Sequence, residues 1–169
     1  MAGLLNHLPP SVSTLHLRIE NPFAENPFAP GPASAEAIDL LCAVAPRLTR
    51  FSFRPGSSWT DAIAHRGMLN GVVAKLSSVE RLTMPAWAVT DLPAALGQLA
   101  RLARLELVGG DDPTQPSCVA QEVIEMLSSS ESLQLVSIAR LVSHDWSPPE
   151  CQAIERAAAV KSIDVVLEA

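Results

Sequence analysis

Apolar residues recur along this chain at a spacing of three and then two. Six copies of the phrase occur: Val12, Leu15, Leu17; Leu48, Phe51, Phe53; Val79, Leu82, Met84; Leu102, Leu105, Leu107; Leu133, Val136, Ile138; and Val160, Ile163, Val165. They begin 36, 31, 23, 31 and 27 residues apart. A helix repeats near 3.6 residues and a strand at 2, so no single element carries this spacing. A helix end, a turn and a short strand in succession do. In LARLARLELVGG, Leu99 closes a helix, Leu102 turns the chain inward, and Leu105 and Leu107 are the alternate inward side chains of a strand. Gly109 and Gly110 then let the chain turn away.

The stretches between copies carry helical signals. Ser34 before AEAIDLLCAVA offers an N-cap and an acidic first turn, with Ile38, Leu41 and Ala45 on one face. Residues 60–76 place Leu69, Val72, Val73 and Leu76 at helical spacing, and a helix from Asp91 places Leu92, Ala95, Leu96 and Leu99 likewise. Ser117 precedes Ala120, Val123, Ile124 and Leu127. In SPPE, Ser147 caps, Pro148 takes the first helical position and Glu150 closes a capping box. Strand and helix alternate throughout, which predicts an α/β fold with a parallel sheet and right-handed crossovers. Each unit can bury its apolar face only against its neighbours, the logic of a solenoid forming one domain over residues 1–169.

These six LxxLxL phrases, covering roughly Val12 to Val166, resemble leucine-rich repeats. The long, irregular units resemble the repeat regions of fungal F-box-like proteins and, more distantly, ribonuclease-inhibitor-like horseshoes. The resemblance implies about six units, with the sheet on a concave face and the helices on the convex face. It also implies a protein that holds a target along the sheet, and in the F-box-like case the substrate-recognition part of a ubiquitin ligase receptor. The chain departs from the family where an Asn or Cys usually ties successive loops together: Glu20, Gly56, Trp87, Gly110, Leu141 and Glu168 stand there. No F-box is found, because LNHLPPS runs directly into the first phrase. Terminal repeats ordinarily need caps. The expectation is a segment of a longer array, or ends covered by a partner or a second copy, since an uncovered strand over 163–167 invites aggregation.

Composition narrows the function classes. Hydrophobic residues make up 48% and charged residues 18%, which describes a folded chain with a real core. A net charge of -6 argues against a general nucleic-acid binder or a protein that coats anionic membranes. Cys42, Cys118 and Cys151 are far apart and odd in number, which suits reduced thiols in the cytoplasm or nucleus. All three fall in predicted helices, where a buried inert thiol is the default. MAGLLNHLPPS has no basic segment leading into a long apolar run, so no signal peptide is expected, and no stretch has the length of a membrane span.

Candidate chemistry lies between the inward residues, on the outward side of each strand. Before the first inward residue stand Thr14, Arg50, Arg81, Arg104, Leu135 and Ser162. Between the two stand His16, Ser52, Thr83, Glu106, Ser137 and Asp164, and after the second stand Arg18, Arg54, Pro85, Val108, Ala139 and Val166. Arg50, Arg81 and Arg104 would stack in one column. At about 5 Å in water two unit charges repel by less than about 1 kcal/mol, so the column is tolerable with or without a ligand. As a site, Arg18, Arg50, Arg54, Arg81 and Arg104, with Glu106 among them, would grip a protein or peptide bearing acidic groups, because the guanidinium fork matches a carboxylate. The plain alternative is a solvated sheet face on which Glu106 and nearby acids balance the arginines.

Other features point elsewhere more weakly. The tandem NPFAENPFAP, Asn21 to Pro30, is similar to ligands of endocytic EH domains, but its expected role is a loop whose Phe23 and Phe28 fold back on the first repeat. SHDW, Ser143 to Trp146, holds the residue types of a hydrolase triad, yet sequence neighbours point apart. A hydrolase using His144 or His16 is the weaker alternative. His7, His16, His65 and His144 have no metal-ligand spacing, and Gly67, Gly71 and GGDDP form no phosphate loop, so no cofactor or metal is expected. SSSES, Ser128 to Ser132, is expected to end a helix and lead into the next strand.

Overall fold

The computed structural model describes residues 8–18, 32–54, 69, 71–86, 89, 95–96, 99–109, 119–139 and 146–168. Six strands form one sheet: β1 (Thr14–Arg18), β2 (Arg50–Arg54), β3 (Arg81–Pro85), β4 (Arg104–Val108), β5 (Leu135–Ala139) and β6 (Asp164–Glu168). They lie side by side in chain order, and every neighbouring pair is parallel. The helices are α1 (Pro32–Val44) with a 3-10 turn at Ala45–Arg47, α2 (Ala120–Ser129) and α3 (Pro148–Val160). Leu69, residues 71–73 and residues 95–96 are also helical, within the two further helices expected between β2 and β4.

Spacing explains which side of the sheet is covered. Phe51, Phe53, Leu82, Met84, Leu105, Leu107, Val136 and Ile138 are all buried, as alternate residues of a strand with one face in a core must be. Helical residues meet them from the same side: Leu41, Leu69, Val72, Val73, Val123, Leu127 and Ile154 join one cluster, with Leu76 from the turn that follows residues 71–73. The helices α2 and α3, from consecutive crossovers, pack against each other. That places both on one face, as right-handed crossovers between strands in simple chain order require. The opposite face carries the outward residues, of which Arg50, Arg81, Arg104 and Asp164 are exposed while Ser52 and Pro85 are buried.

A main-chain device recurs where each strand begins. The Ser13 carbonyl accepts N–H bonds from Thr49 (2.8 Å) and Arg50 (3.1 Å), that of Thr49 from Glu80 and Arg81, and that of Glu80 from Ala103 and Arg104. Ala103 repeats this with Gln134 and Leu135, and Gln134 accepts from Asp164. Side chains reinforce two of these junctions. Thr49 Oγ1 donates to the Ser13 carbonyl at 3.2 Å, and Ser132 Oγ shares its proton between the carbonyls of Leu99 (2.9 Å) and Leu102 (3.0 Å). Successive units are thus tied together at the strand starts by backbone carbonyls, with hydroxyls helping at two junctions.

Two expectations are corrected, and one falls outside the described residues. The helix expected to start from Ser34 begins at Pro32, and its first turn holds no acidic residue. Proline's fixed φ and missing N–H suit the opening of a helix, so Pro32 competes successfully with the serine. The residue before α2 is Val119, whose N–H donates to Glu122 Oε2 at 3.1 Å. Ser117 lies outside the described residues. Finally, the sixth phrase is displaced by two residues. Leu135 pairs with Asp164, Val136 with Val165 and Ile138 with Leu167, so the inward residues of β6 are Val165 and Leu167 rather than Ile163 and Val165. Glu168 accordingly lies within β6 and not in a loop after it. The cause is that α3 runs to Val160, which is 84% exposed, and a turn through Ser162 must follow before the strand starts.

Candidate functional site: the open face of the sheet

The pairing register sets the outward residues in rows that run across the strands. One row is Thr14, Arg50, Arg81, Arg104, Leu135 and Asp164. Arg50, Arg81 and Arg104 are directly paired neighbours, about 4.8 Å apart as adjacent parallel strands. All three are exposed, and among the described residues none has a carboxylate partner. Asp164 ends the row where Ser162 was expected, so the row closes on an acid.

The next row along the strands is His16, Ser52, Thr83, Glu106, Ser137 and Val166, so Val166 takes the place expected for Asp164. Both oxygens of Glu106 accept a hydrogen bond. Its Oε1 accepts from Arg54 Nη2 at 2.8 Å and its Oε2 from Thr83 Oγ1 at 2.9 Å. Arg54 therefore reaches across β3 to β4. The β2–β3 pairing covers Arg50 to Ser52 only, and Pro85 brings no N–H to extend it. Of the expected gripping set, Arg54 and Glu106 bind each other, whereas Arg50, Arg81 and Arg104 stay available. Arg18 pairs through its backbone with Arg54, and its side chain lies outside the described ones.

Between β3 and β5 the open face holds a shallow depression of about 250 Å3. Arg81 and Arg104 line one part, Thr83, Glu106 and Ser137 its polar floor, and half-buried Leu135 another part. Guanidinium groups, hydroxyls and one aliphatic side chain can bind an acidic and partly apolar segment. Sequence reasoning named the arginines but missed Leu135 as part of a pocket, because its contribution depends on sitting beside Arg104 in register.

Elsewhere the chemistry is sparse. Cys42 and Cys151 lie half-buried on α1 and α3, less enclosed than expected. Burial, then the nearby Asp39 charge, pushes the Cys42 thiol up, with Lys75 pulling the other way, which disfavours the reactive thiolate. His16 is exposed on β1. Among the described residues no group of three or more His, Cys, Asp or Glu could hold a metal ion, and no helix is long and apolar enough to cross a membrane. The NPFAENPFAP tandem, GGDDP apart from Gly109, Cys118, His144 and most of SHDW lie outside the described residues. Ser130 does follow the end of α2, as the SSSES reading expects, and Ser132 serves the junction described above. No protein-family profile and no curated protein matches this chain.

Proposed function

We propose that this chain is an irregular leucine-rich-repeat-like solenoid acting as a non-enzymatic protein-interaction module, which binds an acidic protein or peptide on the open face of its sheet. The observation that carries the reading is the run of three exposed arginines in register on β2, β3 and β4, none of them with a carboxylate partner among the described residues. An ion-paired arginine such as Arg54 must lose its partner before it can bind another, whereas Arg50, Arg81 and Arg104 need only shed water. Mutual repulsion is small enough in water to keep them side by side, and a carboxylate between two of them relieves it. A rigid surface adds to this by having little order to lose on binding. The thiol pattern and the lack of a membrane-length helix among the described residues suit work in the cytoplasm or nucleus.

The test is affinity capture of the partner from native extract beside the variant carrying Arg50→Glu, Arg81→Glu and Arg104→Glu. The expected result is loss of the main partner with little change in melting temperature, because all three side chains are exposed. Capture undiminished by the triple reversal would remove these arginines from the mechanism.

A further inference from the structure

We infer that the open face reads the order of chemistry along its ligand: an extended segment of a partner protein with two acidic residues, then an aliphatic one, then a basic one, at alternate positions. The inference rests on the interaction reading above and specifies the ligand. Its basis is the row Arg50, Arg81, Arg104, Leu135, Asp164, which runs basic, basic, basic, aliphatic, acidic across five adjacent strands.

Spacing converts that row into a sequence. Four inter-strand steps span about 19 Å. An extended chain advances about 3.3 Å per residue and shows every second side chain to the same side, so about seven residues cover the row with four facing it. The first facing residue then meets Arg50 and Arg81, the second Arg81 and Arg104, the third Leu135 beside the depression, and the fourth Asp164. Glu106 is tied to Arg54 and Thr83 through one bond at each oxygen, which directs it towards β2 and β3 and partly offsets its charge. Its charge also disfavours a more highly charged anion such as a phosphate beside Arg104. Val166, 42% exposed and next to Asp164 on the same face, gives the stem of a long basic side chain an apolar strip to lie on.

The probes are two blocked peptides of one composition: Asp-Ser-Glu-Ser-Leu-Ser-Lys, and the same peptide with its terminal Asp and Lys exchanged. Binding is followed by the shifts of β3 to β5 backbone amides at low salt. The first peptide should bind more tightly, by up to about five- to tenfold: in the same direction the exchanged peptide turns two exposed attractive pairs into repulsive ones, and turned end for end it sets Leu against the arginines and Glu against Leu135. The Asp164→Lys variant should abolish that preference and instead favour a peptide ending in Glu, and added salt should shrink every difference. Equal affinities for both peptides that still depend on Arg50, Arg81 and Arg104 would overturn the order while leaving the interaction reading intact. Absence of binding, or binding of a single-stranded oligothymidylate as tight as the first peptide, would overturn it too. Peptide binding indifferent to the triple arginine reversal would sink both.

Discussion

Ser162 shows how much one residue decides. Its φ of 56° lies in the left-handed region, which costs a side-chain-bearing residue about 1–2 kcal/mol. The turn it makes is a Schellman closure of α3: Ile163 N–H bonds to the Ala158 carbonyl at 3.0 Å and Ser162 N–H to that of Ala159 at 3.1 Å. Glycine adopts this conformation freely, at some cost in unfolded-chain entropy, so Ser162→Gly should stabilise the protein by about 0.5–1 kcal/mol net. Thermal unfolding should register a rise of about 1–4 °C, and an unchanged or lower melting temperature would contradict the strain. The same residue explains a misreading. Helices that end this way usually announce it with glycine, and a serine there hides the turn, so Val160, Ile163 and Val165 pass for a strand phrase they do not form. Ser132 makes the opposite point, as a hydroxyl that ties one unit to the one before it. Ser132→Ala deprives two loop carbonyls of a donor and should cost about 1 kcal/mol in denaturant unfolding.

At the scale of the element, α3 is the helix whose beginning was most legible and whose end was least. The SPPE signal places the start as expected, with Ser147 at the N-cap and Glu150 reaching back to it, but the serine hydroxyl donates instead of capping: Ser147 N–H and O–H both donate to Glu150 Oε2, at 2.7 and 2.6 Å. These bonds hold the Glu150 carboxyl below its ordinary value. A depressed folded value means that the ionised form is favoured by folding. The contribution is present at neutral pH, above the unfolded glutamate value near about 4.3, and is lost as pH falls through the lower folded value. Glu150→Ala should therefore lower the melting temperature at pH 7 and make progressively less difference towards pH 3. A difference that stays constant over that range would show that Glu150 acts by something other than its charge. The strands were legible for a related reason, since β2, β4 and β5 each place two large apolar residues two apart. What the pattern could not supply was the diagonal Arg54–Glu106 pair, which spans three strands and exists only because of the register between them.

Across the whole molecule, burial is graded along the row of strands. Leu107 and Ile138 are fully buried, while Leu17 on β1 and Leu167 on β6, at the matching inward position, are only partly so. Each strand contacts its immediate neighbours, so a middle strand is held from two sides and β1 and β6, within the described sheet, from one. Removing side chains at these sites should expose the gradient. Leu107→Ala takes atoms from a site enclosed by β3, β5 and the helical layer, and should cost about 2–5 kcal/mol. Leu167→Ala removes the same atoms from a site already half in solvent and should cost about half as much. Native-state hydrogen exchange should rank the amides in the same order, with β3, β4 and β5 opening only near the global unfolding free energy and β1 and β6 exchanging earlier. Uniform protection over all six strands, together with equal losses for the two leucine variants, would mean that the sheet unfolds as one unit. The open-face row would then be rigid from end to end. If the gradient holds, Arg81 and Arg104 stand on the most stable part of the sheet and Asp164 on a looser one, so the acidic part of a ligand would be held more firmly than its basic end.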